Sequence, residues 1–117
     1  MIERGKNIQE RTYAFALEVV KLTRKFPKNS EGFAICSQTI RSATSIPANL
    51  FEGGAGVSKK EFIQFVSTAR KSAIETKFWL RFSSDLELIT ETEFIKFADE
   101  CEQIIKILSK IILNAKA

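Results

Sequence analysis

Along the chain, apolar residues recur every three or four positions through four long stretches, and no alternating strand pattern competes with them. The pattern predicts four amphipathic helices. The first runs from about Ile8 to Arg24 and stops at Phe26-Pro27, because the residue before a proline avoids the α region. Two apolar stripes, Tyr13-Leu17-Val20 and Phe15-Val19-Leu22-Phe26, flank a narrow polar strip. A helix in a monomeric bundle needs one stripe roughly 100° wide. This one has about twice that, which predicts a second packing partner.

The second helix starts at Asn29 or Ser30, either of which suits an N-cap, and runs to Glu52. Gly53-Gly54 then ends it, with a glycine suited to the left-handed position. Phe33, Cys36, Ile40, Ala43, Pro47, Leu50 and Phe51 are expected on its core side. The other side carries Gln38, Arg41, Ser42, Ser45, Asn49 and Glu52, a stripe of small and mostly uncharged polar groups. Exposed helix faces are usually rich in Lys and Glu, so this stripe is expected to meet something. Pro47 lies well inside the helical pattern, where it removes a hydrogen bond and presses on the carbonyl of Ala43. Two compatible readings stay open: a kink that wraps the helix round its neighbours, or one that aims Ser45 and Asn49 at a partner.

The third helix opens with the capping box Ser58-Lys59-Lys60-Glu61 and continues to about Ser83. Phe62, Phe65, Val66, Ala69, Ala73, Thr76, Trp79 and Leu80 form its core face, while Ile74, Phe78 and Phe82 lie well outside it. Three large apolar groups at that spacing predict an exposed patch and hence an interface. The fourth helix opens with a second box, Thr90 to Glu93, and has the cleanest periodicity: Phe94, Phe97, Ala98, Cys101, Ile104, Ile105, Leu108, Ile111 and Ile112. Short connections make sequence neighbours antiparallel neighbours. The expected fold is therefore all-α, one antiparallel up-and-down four-helix bundle over residues 1–117.

Composition narrows the chemistry. The 117 residues include no histidine, which removes the commonest general base and metal ligand. No Glu-x-x-His pair exists for a di-iron site, and Cys36 and Cys101 both fall on apolar helical faces without C-x-x-C spacing. No catalytic, cofactor or metal site is expected, and the chain is not expected to be an enzyme. No apolar run is long enough to span a bilayer and the start lacks a signal-peptide core, so a cytoplasmic protein with reduced thiols is expected. Gly53-Gly54-Ala55-Gly56 before a helix start invites a phosphate-loop reading, but with no strand ahead of it the stretch reads as a flexible connector.

The net charge of +4 is uneven. The first thirty residues hold Arg4, Lys6, Arg11, Lys21, Arg24, Lys25 and Lys28 against Glu3, Glu10 and Glu18, and the last helix is net acidic. A basic end permits contact with RNA or DNA phosphates without demanding it. The candidate contacts are Arg11, Lys21, Arg24, Lys25, Lys28, Arg41, Lys59, Lys60 and Arg70. The candidate interface residues are Gln38, Ser42, Ser45, Asn49, Ile74, Phe78 and Phe82.

The stretch from Ser37 to Gly53 resembles the signature S-Q-x-x-R-x-A-x-S-I-P-x-N-x-x-E-G of the four-helix bundle proteins encoded in intervening sequences of 23S ribosomal RNA genes. Lys21-Leu22-Thr23 leading to Phe26-Pro27-Lys28, then Lys60-Glu61-Phe62-Ile63-Gln64-Phe65, Ala69, Ser72 and Glu75 extend the resemblance over nearly the whole chain. The chain departs from that family at Ile40, which replaces one of two adjacent arginines, at Lys71, which replaces a glycine, and at Phe51, commonly a small residue. The resemblance implies an up-and-down bundle, a ring-like homo-oligomer (a pentamer in characterised relatives) and a basic surface for nucleic acid. Accessory proteins of diversity-generating retroelements belong to the same group, which implies a reverse transcriptase as a further partner. Two functions are thus expected: an oligomeric protein that binds nucleic acid or a ribonucleoprotein, or a structural module that only self-assembles or holds a protein partner.

Overall fold

The computed structural model describes residues 7–117; Arg4 and Lys6, counted above in the basic start, lie outside the described residues. Four helices follow in order: α1 (Ile8–Thr23), α2 (Ser30–Gly53), α3 (Lys59–Asp85) and α4 (Glu91–Lys116). Each begins on a side-chain cap that satisfies an orphan backbone N–H. Asn7 and Asn29 accept from Glu10 and Gly32, and both expected capping boxes form, Ser58 with Glu61 and Thr90 with Glu93. The glycine expectation needs correction. Gly54 closes α2 with φ −89°, and the left-handed glycine is Gly56, at φ 75°.

Side-chain contacts fix the topology. Arg11 meets Glu100 and Phe15 faces Phe97, so α1 and α4 run in opposite directions. Ser42 bonds Thr76 and Ser45 bonds Ser72, which makes α2 and α3 antiparallel as well. α1 and α3 have no close backbone approach and stand at opposite corners of a bundle measuring 45 × 25 × 19 Å. The α1–α4 seam is the sparsest of the four.

The core takes one stripe from each helix, with Phe15, Val19, Ile46, Val66, Leu80, Ile104 and Leu108 among its fully enclosed side chains. In α2 the buried face is turned from the expected one. Ile35, Thr39, Ala43, Ile46 and Leu50 point inward, while Phe33 and Phe51 are 58% and 73% exposed. The reason is local. Thr39 gives its hydroxyl proton to the Ile35 carbonyl at 2.7 Å, so it enters the core with its polarity already satisfied. Helix α2 runs unbroken through Pro47.

Cys101 is buried, donates to the Ala73 carbonyl at 3.1 Å, and has its thiol pushed up to about 12 by burial. Cys36 is half-buried. A thiol reagent at neutral pH is therefore expected to label Cys36 in the native protein and to reach Cys101 only after unfolding, since the thiolate is the reactive form. Equal labelling of both under native conditions would contradict the enclosed position of Cys101.

Candidate binding surfaces

The polar stripe of α2 faces α3 of its own chain. Ser42 is buried and its Oγ accepts from Thr76 Oγ1 at 3.0 Å. Ser45 accepts from Ser72 at 2.8 Å and also from Asn49 Nδ2, which donates in turn to the Ser45 carbonyl at 2.8 Å. The expectation that this stripe serves an external interface is corrected for Ser42, which is buried on an internal partner, whereas Ser45 bonds inward and is half-buried at the cleft. Small residues let the two helices approach, and hydroxyl pairs replace apolar contact at the seam. Gln38, Arg41 and Glu75 rim a cleft of about 500 Å³ above it, so they remain accessible beside the seam.

The outer apolar surface is real and has two parts. On one corner, Tyr13, Leu17 and Val20 of α1 with Pro47 and Phe51 of α2 line a groove of about 750 Å³. Tyr13 is 61% exposed, so the first of the two α1 stripes is indeed left out of the core. On α3, Ile74, Phe78 and Phe82 project outward as expected. The Phe78 and Phe82 rings stack at 6.0 Å, and Trp79 packs edge-on against both.

The nine basic candidates do not form one surface. Arg11 is buried between α1 and α4, donating to both carboxylate oxygens of Glu100 at 2.7 and 2.9 Å and to Gln103 at 2.9 Å. The Glu100 hydrogen bonds raise its guanidinium further above its ordinary value. Arg11 is thereby removed from any outer contact surface. Lys21 pairs with Glu18, and Lys25 pairs with Glu93, whose carboxyl is held below the usual range by that lysine and by the Thr90 N–H. Arg24 and Lys28 are exposed at the end where α1 finishes, whereas Lys59 and Lys60 lie at the other end, where α3 begins. Arg41 is exposed midway along α2.

A grouping missed in the sequence lies beside Arg70. That residue crosses from α3 to α4 and donates through Nε to Ser109 at 2.7 Å. Around this junction the first half of α3 and the second half of α4 supply Lys59, Lys60, Lys71, Lys106, Lys110 and Lys116. The only carboxylate of those two half-helices is Glu61, and it is engaged in its own capping box. The averaged charge of α4 hid this, because its acids are confined to its first half. Among the described residues no group of three or more acidic, histidine or cysteine side chains is placed to hold a metal, and no helix is long and apolar enough to cross a membrane.

No match was found among curated proteins. A solved structure from Bacteroides thetaiotaomicron, of a protein with unknown function from the S23 ribosomal protein family, superposes with a TM-score of 0.84 at 30% identity, covering 90% of this chain and 97% of that one. The family described as 23S rRNA-intervening sequence protein matches residues 5–110. With four capped helices in one bundle and that match over most of its length, the chain belongs to the 23S rRNA-intervening sequence protein family.

Proposed function

We propose that this chain is a non-catalytic subunit of a homo-oligomer that binds the phosphate backbone of nucleic acid. The observation supporting the reading is the concentration of cations where α3 begins and α4 ends. Seven Lys and Arg residues there face a single carboxylate, so the remainder of the chain holds slightly more carboxylates than cations. Phosphate contacts of this kind displace condensed counterions, which gives affinity without sequence readout and a strong salt dependence. The chain has no histidine, and the Cys101 thiol is buried and held protonated, so neither offers a surface group for proton transfer or nucleophilic attack.

Fluorescence anisotropy with labelled RNA and DNA duplexes tests this. Affinity should fall steeply as salt rises, and the pair Lys106→Glu with Lys110→Glu should weaken binding by more than about tenfold at low salt. The pair Arg24→Glu with Lys28→Glu, at the far end, should change it much less. No binding at low salt, or binding indifferent to salt, would overturn the reading. The exposed apolar groove and ridge favour a second reading, a self-assembling or protein-holding module that never touches nucleic acid; assembly without any binding would support it.

A further inference from the structure

The cleft between α2 and α3 carries one charge of each sign. Arg41 comes from α2 and Glu75 from α3, and no other charged side chain lines it. Ser42 bonds Thr76 and Ser45 bonds Ser72, so the antiparallel register sets Arg41 and Glu75 at similar heights, roughly 3 Å apart along the axes. Yet the two do not pair. Among the described residues the Arg41 guanidinium has no partner, and the Glu75 carboxylate accepts only from Trp79 Nε1, at 3.3 Å. We propose that this cleft binds a free α-amino acid with an apolar side chain, its carboxylate on Arg41 and its ammonium on Glu75.

The hydroxyls lining the cleft supply a further donor. Ser42 and Thr76 hold two hydroxyl protons and have two backbone carbonyls to take them, those of Thr39 and Ser72, besides each other. That pair is closed. Ser45 and Ser72 also hold two protons, but the single bond between them is all they spend. Asn49 brings Ser45 another donor rather than an acceptor. One proton of this pair is therefore left for an acceptor in the cleft, beside an uncommitted guanidinium. A carboxylate takes both, through charge-assisted hydrogen bonds.

Charge decides the class of ligand. A plain anion is opposed by Glu75 and a plain cation by Arg41, whereas a compact zwitterion satisfies both. The cleft differs in this from the lysine-rich junction of α3 and α4, so the inference stands apart from the nucleic-acid reading. The side chain of the ligand is chosen by what adjoins the cleft. Thr44 and Ala48 line both this cleft and the apolar groove between α1 and α2. Thr44 spends its hydroxyl on the Ile40 carbonyl at 2.7 Å, so it adds no free polar group there. An apolar side chain lies across these two small residues toward Pro47 and Phe51 of the groove.

Trp79 is the single tryptophan of the chain and its indole N–H lies on Glu75, so its emission reports on that carboxylate. L-leucine titrated into the full chain, without nucleic acid, should change this emission saturably, and calorimetry should give the same affinity. N-acetyl-leucine lacks the ammonium and leucinamide lacks the carboxylate, so each should bind about tenfold more weakly. By calorimetry, Arg41→Gln should erase the preference for leucine over leucinamide, and Glu75→Gln the preference over N-acetyl-leucine. Circular dichroism should show both variants folded, as each replaced side chain is exposed. Inorganic phosphate should not compete with leucine. Absence of any saturable heat with leucine, equal binding of the three compounds, competition by phosphate, or preferences that survive both substitutions would overturn the proposal.

Discussion

Arg11→Ala is expected to lower the stability of the bundle by about 3 kcal/mol. Arg11 is 7% exposed and the Glu100 side chain 12%, so removing the guanidinium strands a carboxylate with little water around it. The loss falls at the lower end of what a broken buried pair costs, because Glu100 keeps a solvent edge. It also removes the strongest polar tie across the α1–α4 seam, where other contacts are fewest. Urea denaturation should show an earlier midpoint with an unchanged slope. Replacing Arg11 and Glu100 together by methionine should recover most of the loss, because no charge is then left unpaired. A loss below about 1 kcal/mol for the single change would mean that the pair behaves as an exposed one.

Gly32→Ala is the second large effect. A methyl group built on Gly32 would lie 1.9 Å from the Pro27 carbonyl oxygen, which belongs to backbone and cannot rotate away. The turn between α1 and α2 must then move, carrying with it the Asn29 cap that accepts from the Gly32 N–H at 2.8 Å. Overpacking of this severity is expected to cost about 3 kcal/mol, the upper part of the usual range. Thermal melting of the variant checks it. An unchanged melting temperature would show that the turn relaxes without strain. The close approach, rather than any left-handed backbone, is what requires glycine there.

The helices themselves were legible in the residues because their limits are chemical: Pro27 after the first, Ser58 and Thr90 before the last two. The outward position of Ile74, Phe78 and Phe82 was legible for the same reason, since nothing at their spacing matched the core face. What misled was polarity. Thr12, Thr23 and Thr39 are all buried, each donating to a carbonyl three or four residues back in its own helix. Such a threonine presents its methyl to the core, yet it scores as polar in any periodic reading. That is why the buried face of α2 was placed one strip round, with Phe33 and Phe51 inside.

The candidate site was less legible. Arg11 and Lys25 look alike as basic residues until the fold brings Glu100 and Glu93 to them from the far end of the chain. Conversely, Lys106 and Lys110 were hidden by the acids earlier in the same helix. They join Lys59 and Lys60 only once α3 and α4 lie side by side. Net charge per helix is too coarse a measure when the two halves of a helix sit at opposite ends of a bundle.

The hydroxyl seam between α2 and α3 has a consequence for alignment. Apolar stripes tolerate sliding, since one leucine-sized contact replaces another when helices shift by a turn. Ser42 with Thr76 and Ser45 with Ser72 lose two matched hydroxyl pairs in any other setting, at roughly 0.5–1.5 kcal/mol each. The seam therefore acts as a vernier that sets how high α3 stands against α2, and through α2 against α1. Because α1 and α3 have no close backbone approach, that indirect setting is what fixes their relative height.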